Sequence, residues 1–290
     1  YFARRAARTR DDRDMIAAAV IGWPIEHSRS PMIHGHWLER YGIDGRYSKI
    51  AVRPDEVAAF VTSLAARGLA GCNVTLPHKE AVFRAAAVRE RSAEAVGAAN
   101  TLWLEDDRLH AANTDTYGFM RHLDLTAPGW KAKDRPVLLL GAGGAARGIV
   151  YGLLEAGVGE VRVANRTLAR AEDIARHFGP RVKALAWSEA ERAAADAGVL
   201  VNTTTLGMAK SDPLDFDVTR LSHDSVVADI VYVPLETPLL AGARARGLAT
   251  VDGLGMLLHQ AVPGFAKWFG VTPEVTTELR DILVRDIEGH

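Results

Sequence analysis

Residues 137–146 read Val137-Leu138-Leu139-Leu140-Gly141-Ala142-Gly143-Gly144-Ala145-Ala146, and no other stretch limits the fold so tightly. Four apolar residues make a strand, a glycine-rich turn follows, and small residues open a helix over 144–155. Gly141 permits the tight turn, Gly143 lets backbone approach a pyrophosphate, and Ala146 allows close helix–strand packing. The helix start then offers free N–H groups and the positive end of its dipole to phosphates. Glycine-rich turns of this kind also occur as purely structural corners. The strand before this one and the β-α-β spacing after it favour a dinucleotide site.

The rest of the chain continues the alternation, which argues for α/β layers built on parallel sheets. Strands are expected at 16–21, 47–52 and 71–75, and helices at 31–41, 54–67, 77–87 and 92–96. A hairpin over 101–105 and 108–113 turns at Asp106-Asp107. A second series begins near Thr116. It holds a helix at 117–123, a polar linker at 126–135, the strand 137–140, and strands at 161–164, 182–185, 199–202, 226–231 and 248–251. After Gly253 the chain is helical. The expected organisation is two α/β domains. The first covers 15–115, a doubly wound dinucleotide-binding domain covers 116–252, and helices over 253–290 return to the first. Residues 1–14, crowded with Arg and Asp and without apolar period, are expected to be a flexible extension.

Composition narrows the ligand. The 290 residues hold 35 basic and 36 acidic side chains, a net charge of −1. No basic field exists to hold nucleic acid or an anionic membrane, which leaves a small molecule. No apolar run approaches the roughly 20 residues of a membrane-spanning helix. The single cysteine, Cys72, cannot pair within the chain and points to a reducing, cytoplasmic compartment. His34 and His36 fall on different faces of a helix, and no Cys or acidic cluster has ligand spacing, so no metal is expected.

The strand expected at 161–164 is followed by Asn165-Arg166-Thr167, with Arg170 one turn further on. Sites for NAD place an acid here to hold the ribose 2′-hydroxyl. An arginine suits the 2′-phosphate of NADP instead. The alternative is a solvated, basic helix start. Asn202-Thr203-Thr204-Thr205-Leu206-Gly207-Met208 follows a later strand, at the edge where ligands bind in open sheets. It fits a nicotinamide contact or an ordinary Thr-rich loop.

A lysine stands where a helix disfavours one. In Gly71-Cys72-Asn73-Val74-Thr75-Leu76-Pro77-His78-Lys79, Pro77 reads as a first-turn proline, which puts Lys79 at the helix start. About half a positive charge resides there, and an ammonium is disfavoured by roughly 0.3–1 kcal/mol. Lys79 therefore serves something other than the helix. In Ser28-Arg29-Ser30-Pro31, Ser30 reads as a helix N-cap, although two hydroxyls at a helix start also hold a carboxylate. Asp115 likewise reads as the N-cap of a helix beginning at Thr116. Asn100-Thr101 and Asn113-Thr114 gather further small polar groups at element ends, as a polyhydroxylated ligand requires. His27 and His78 read as surface or core histidines, with substrate contact the alternative.

These segments together resemble the shikimate dehydrogenase family. Gly22-Trp23-Pro24-Ile25-Glu26-His27-Ser28-Arg29-Ser30-Pro31 is similar to its carboxylate-binding opening, and the stretch ending at Lys79 to its catalytic-lysine motif. Gly97-Ala98-Ala99-Asn100-Thr101-Leu102 and Asn113-Thr114-Asp115 resemble two more substrate-side segments. Asn165-Arg166-Thr167 resembles the NADP-selecting motif, and 252–261 the C-terminal substrate helix. The matches keep family order from about residue 20 to 262.

The resemblance implies reversible NADPH-dependent reduction of 3-dehydroshikimate to shikimate, a precursor of the aromatic amino acids. It implies Lys79 and Asp115 as the catalytic pair. Ser28 and Ser30 would hold the carboxylate; Asn73, Thr75, Asn100 and Gln260 the ring hydroxyls; Tyr232 would line the site. The cofactor would meet Gly141, Ala142, Gly143, Gly144, Ala145, Ala146, Asn165, Arg166, Thr167, Arg170, Thr204, Met208 and Gly253. The protein would be a monomer or homodimer. Thr116, Gly35 and Ala99 depart from the family's usual Gly, Asn and Val. The rival readings are a quinate/shikimate dehydrogenase of relaxed specificity, against which Arg166 and Ser30 argue, and a non-catalytic NADP sensor, which would lack the Lys–Asp pair.

Overall fold

The structure, a computed structural model, describes residues 15–289; the segment 1–14 lies outside the described residues. Two six-stranded sheets form its layers. The first contains β1 (Ile16–Gly22), β2 (Gly45–Ala51), β3 (Leu69–Val74), β4 (Val88–Arg89), β5 (Thr101–Glu105) and β6 (Arg108–Ala112), in the order β2-β1-β3-β5-β6-β4. The second contains β7 (Val137–Leu140), β8 (Val161–Asn165), β9 (Val182–Ala186), β10 (Val199–Asn202), β11 (Val226–Asp229) and β12 (Ala249–Val251). Its order, β12-β11-β10-β7-β8-β9, is parallel throughout and is that of a doubly wound dinucleotide fold.

The central strands are apolar along their length because helices cover both faces. Ala17, Ala19 and Ile21 of β1 pack with Phe60, Val61 and Leu64. Ala18, between them, packs on the other side with Ile33, Trp37, Leu254 and Phe265. In β7, Val137 and Leu139 join Ile149 and Leu153, while Leu138 and Leu140 join Leu239 and Leu240. The two C-terminal helices, Gly253–Phe269 and Thr277–Glu288, share a core with helix Ser30–Arg40 on the first sheet. Trp268 Nε1 donates to Leu102 O, and Trp37 Nε1 to Glu274 O, both at 2.9 Å. Trp37 and Phe265 are fully buried, and each contributes about 1.5–3 kcal/mol relative to exposure.

Several expectations need correction. The first sheet is mixed, since β5 runs antiparallel to β3 and β6. Asp106 and Asp107, with φ of 50° and 58°, make the tight reversal between β5 and β6. The helix expected over 54–67 is broken into Val57–Thr62 and a 3-10 turn at Ala65–Arg67. Thr62 and Ser63 hydroxyls bond back to Ala58 O and Ala59 O, a competition that weakens helix ends. Ala87, expected in a helix, donates its N–H to Leu109 O at 2.9 Å and leads into β4. Among the described residues, no helix is long and apolar enough to cross a membrane.

Candidate active site

The ends of β1, β3 and β11 and the starts of four helices surround a cleft of about 480 Å³. Ser28, Ser30, Asn73, Thr75, Lys79, Asn100, Asp115, Tyr232 and Gln260 all line it, drawn from segments more than two hundred residues apart. Gly253, expected beside the cofactor, lines it too.

Lys79 is the first residue of helix Lys79–Ala85, and its ammonium meets Asp115 Oδ2 at 2.5 Å. The side chains are 29% and 21% exposed, so this pair is less screened than a surface ion pair. Asn100 Nδ2 donates to Asp115 Oδ1 at 2.9 Å and lies 3.5 Å from Gln260 Oε1. Its own carbonyl oxygen accepts Thr114 N–H at 2.7 Å, which fixes the direction of the amide. Ser28 Oγ donates to Ser30 Oγ at 3.3 Å, and Ser30 N–H donates to Ser28 Oγ at the same distance. The arrangement sets a cation, a fixed carboxylate and directed amides around a cleft suited to one small polar ligand.

The helix starts depart from their sequence reading. Pro77 does not open the helix after β3; His78 N–H closes a turn onto Thr75 O, and His78 is the cap residue. Ser30 is the first residue of its helix, with Arg29 as cap. Thr114 precedes helix Asp115–Thr126, so Asp115 is helical and caps nothing. An ammonium and a side-chain amide hold its carboxylate, and a charge-assisted bond is stronger than a neutral cap. His78 is 1% exposed, with Nε2 2.7 Å from Val52 O, while exposed His27 lines the cleft. Sequence reading missed Tyr47, whose hydroxyl donates to Asn73 Oδ1 at 2.7 Å. Nothing in the polar strand β2 marked it. It also missed Trp23 and Leu76, exposed apolar residues that line the same cleft.

The remaining site residues follow the C-terminal edge of the second sheet, which also supplies Ile230 and Tyr232 to the cleft. Gly141 has φ of 104°, and a Cβ there would stand 2.8 Å from Thr203 Oγ1, so glycine is required. Gly143 caps helix Gly144–Glu155 without a side-chain partner, and no atom lies within 4 Å of a Cβ placed at Gly143 or Gly144. Ala142 in the turn and Ala145 in the first turn of the helix are half-buried, and Ala146 is fully buried. Asn165 Nδ2 donates to Thr167 O at 2.8 Å, shaping the turn that presents Arg166 and Arg170. Both arginines are exposed and, among the described residues, without an ion-pair partner. An open helix N-terminus beside two unpaired guanidinium groups fits a pyrophosphate and a further phosphate. Thr204 Oγ1 donates to Asn202 Oδ1 at 2.7 Å and accepts Leu206 N–H at 3.0 Å, so it builds its loop; Met208 is exposed.

Two family models match the chain. One is described as the shikimate dehydrogenase substrate binding domain, over residues 20–102, and one as shikimate / quinate 5-dehydrogenase, over residues 125–210. A shikimate dehydrogenase (NADP(+)) of Azorhizobium caulinodans is 58% identical over 273 residues, 94% of this chain and 97% of that relative. The chain belongs to the shikimate dehydrogenase family. Shikimate 5-dehydrogenase of Thermus thermophilus, solved in complex with NADP(H) and shikimate, is similar at a TM-score of 0.82 and 33% identity, covering 94% of this chain and all of that one (100%). Quinate dehydrogenase of Corynebacterium glutamicum, solved in complex with NAD, is similar at a TM-score of 0.84 and 31% identity, covering 93% and 98%. Against the shikimate dehydrogenase pattern, the departure at Thr116 has a structural account: its hydroxyl donates to Gly148 O at 3.0 Å, tying two helices together. Ala99 is fully buried, and Gly35 has open space around it.

Proposed function

We propose that the chain catalyses the reversible NADPH-dependent reduction of 3-dehydroshikimate to shikimate. The observation that carries this reading is the Lys79–Asp115 pair at 2.5 Å in a cleft walled by directed amides and hydroxyls. NADPH, when bound, supplies the hydride. As the ketone carbon gains it, negative charge develops on the oxygen, and the Lys79 ammonium stabilises that charge and donates the proton. Asp115 keeps Lys79 charged and oriented, and Asn100 keeps Asp115 in place. In the oxidative direction the same lysine takes the proton back.

Ser28 and Ser30 hold the substrate carboxylate at a helix start. Asn73, Thr75, Asn100 and Gln260 bind ring hydroxyls, and Tyr232 closes the site from the second sheet. The turn 141–146 holds the pyrophosphate, Asn165, Arg166, Thr167 and Arg170 the 2′-phosphate, and Thr204, Met208 and Gly253 border the nicotinamide. Residues 15–115 and 253–290 form the substrate domain, and 116–252 the NADP domain. A monomer or homodimer in a reducing cytoplasm, where the buried Cys72 thiol stays unpaired, completes the reading.

Absorbance of reduced nicotinamide, followed with shikimate plus NADP⁺ beside quinate and NAD⁺, tests the assignment. Turnover should favour shikimate with NADP⁺. Preference for quinate with NAD⁺ would move the chain to the quinate branch, and tight NADPH binding without turnover would make it a sensor.

A further inference from the structure

A polar network runs beneath the cleft and begins at a residue that does not line it. Tyr47, on β2, donates to Asn73 Oδ1 at 2.7 Å. Asn73 Nδ2 donates to Asn100 O at 3.2 Å and to Thr101 Oγ1 at 3.1 Å. A carboxamide has two donor hydrogens and two acceptor lone pairs. Both hydrogens of Asn73 are therefore engaged within the protein, and Tyr47 occupies one lone pair of its oxygen. One lone pair remains. Asn73 is 5% exposed and lines the cleft, so toward a ligand it can only accept. Asn100 has the opposite polarity. Its oxygen accepts from Thr114 N–H, and its amide nitrogen is directed at Asp115 and Gln260.

The phenol is itself held. The His34 ring stacks on it with centroids 3.9 Å apart and planes 6° from parallel. His34 is fully buried against Trp37, Phe265 and Trp268, and burial pushes its pKa down to about 3; neither ring nitrogen makes a hydrogen bond, so His34 does not take the remaining lone pair of Asn73. Tyr47 retains some exposed surface. Its surroundings still push the phenol above its ordinary value, chiefly through desolvation and then through Cys72, with Ser30 opposing. The group is thus a standing donor that adjoins both Ser30 and Asn73.

We propose that Tyr47 is a positioning residue for shikimate, holding the Asn73 carboxamide so that a single oxygen lone pair accepts one ring hydroxyl. The inference rests on the shikimate reading above and adds the direction of that bond: the substrate donates to Asn73.

The test is a double-mutant cycle of Tyr47→Phe and Asn73→Ala, read as KM for shikimate, KM for NADP⁺, kcat and thermal midpoint. Tyr47→Phe keeps the stacked ring and removes only the hydroxyl. It should raise shikimate KM about tenfold, the scale of one neutral hydrogen bond, with kcat within about twofold and KM for NADP⁺ unchanged. In the Asn73→Ala background it should do nothing further. The same penalty in that background, no penalty at all, an equal effect on kcat and NADP⁺, or loss of the thermal transition would each overturn the proposal. If Asn73→Ala alone left shikimate KM unchanged in an active enzyme, the proposal would fall while the shikimate reading stood. Absence of shikimate turnover in the unaltered protein would instead fail the reading itself.

Discussion

Replacing Asp115 by asparagine changes one oxygen to an NH₂ group and leaves no satisfactory orientation. If the new amide turns its oxygen to Lys79, its NH₂ faces Asn100 Nδ2, which now donates to Asp115 Oδ1 at 2.9 Å. Asn100 cannot reverse in response, because its oxygen accepts Thr114 N–H at 2.7 Å. If the new amide turns the other way, a donor faces the Lys79 ammonium at the 2.5 Å contact. Loss of a hydrogen bond to a charged group amounts to about 1.5–3 kcal/mol, or roughly 10- to 150-fold in rate. Loss of organised proton transfer adds to this, within the usual range of about 100- to 10,000-fold for acid–base groups. Asp115→Asn should therefore lower kcat at least about 100-fold in the shikimate and NADP⁺ assay, with NADP⁺ binding retained. Residues that act as one unit are not additive, so Lys79→Ala combined with Asp115→Asn should be no slower than Lys79→Ala alone. A kcat for Asp115→Asn within about threefold of the unaltered enzyme would refute this account. So would a double variant whose loss is the product of the two single losses.

Arg166→Ala should raise KM for NADP⁺ about tenfold or more and leave NAD⁺ kinetics unchanged, with a difference that shrinks as salt is added; equal effects on both cofactors would remove Arg166 from the 2′-phosphate site. Asp229, buried at the end of β11, has its carboxyl raised to about 6 by desolvation, against hydrogen bonds from Val231, Thr237 and Asn202. Between its ordinary 3.8 and about 6 the folded state binds more protons than the unfolded one, so this group makes stability fall as pH rises through that window and level off above it. Asp229→Asn should remove that component from a plot of unfolding free energy against pH, and parallel curves for the two proteins would refute it. Gly118→Ala would place a Cβ 2.6 Å from Met256 O and 2.7 Å from Gln260 N, backbone atoms that cannot yield cheaply. It should lower both kcat and the thermal midpoint, the overpacking costing about 1–3 kcal/mol, and unchanged values of both would show that the helices tolerate separation.

Positions with a single steric demand are the legible ones. Gly141 must take a positive φ against Thr203, and Ala146 must be small and buried, so the order strand, turn and helix could be read from residue types alone. Helix starts at the cleft are less legible. Ser30, Pro77 and Asp115 each have a strong local preference, and each stands one or two places from where that preference puts it. For Asp115 the partner comes from across the chain, Lys79 standing 36 residues away. Local statistics cannot contain such a partner, and charge-assisted contacts override them. Tyr47 is the extreme case. Its strand is polar and half-exposed, and its role exists only through Asn73 on β3, two strands away in the sheet.

Helices Asp115–Thr126 and Gly253–Phe269 both begin near the passage between the sheets and pack along each other, and the contact at Gly118 brings Asp115 and Gln260 to the same wall. Asp252 secures the start of the second helix. Its Oδ1 accepts Gly255 N–H at 3.1 Å, and its Oδ2 accepts from Arg280 at 2.8 Å. Burial alone would raise this carboxyl, but His122, on the Asp115 helix, and Arg280, on the last helix, hold it well below the ordinary range. One carboxylate thus ties three helices together behind the site. The positions of Asp115, the partner of Lys79, and of Gln260 on the cleft wall are therefore set by a single packed unit. Arg166 and Arg170, proposed for the 2′-phosphate, sit exposed on the turn after β8 and in the first turn of helix Leu168–Phe178, outside that unit. Substitutions within the unit should accordingly act on shikimate KM and kcat, and substitutions at the arginines on cofactor choice, with little crossover between the two sets.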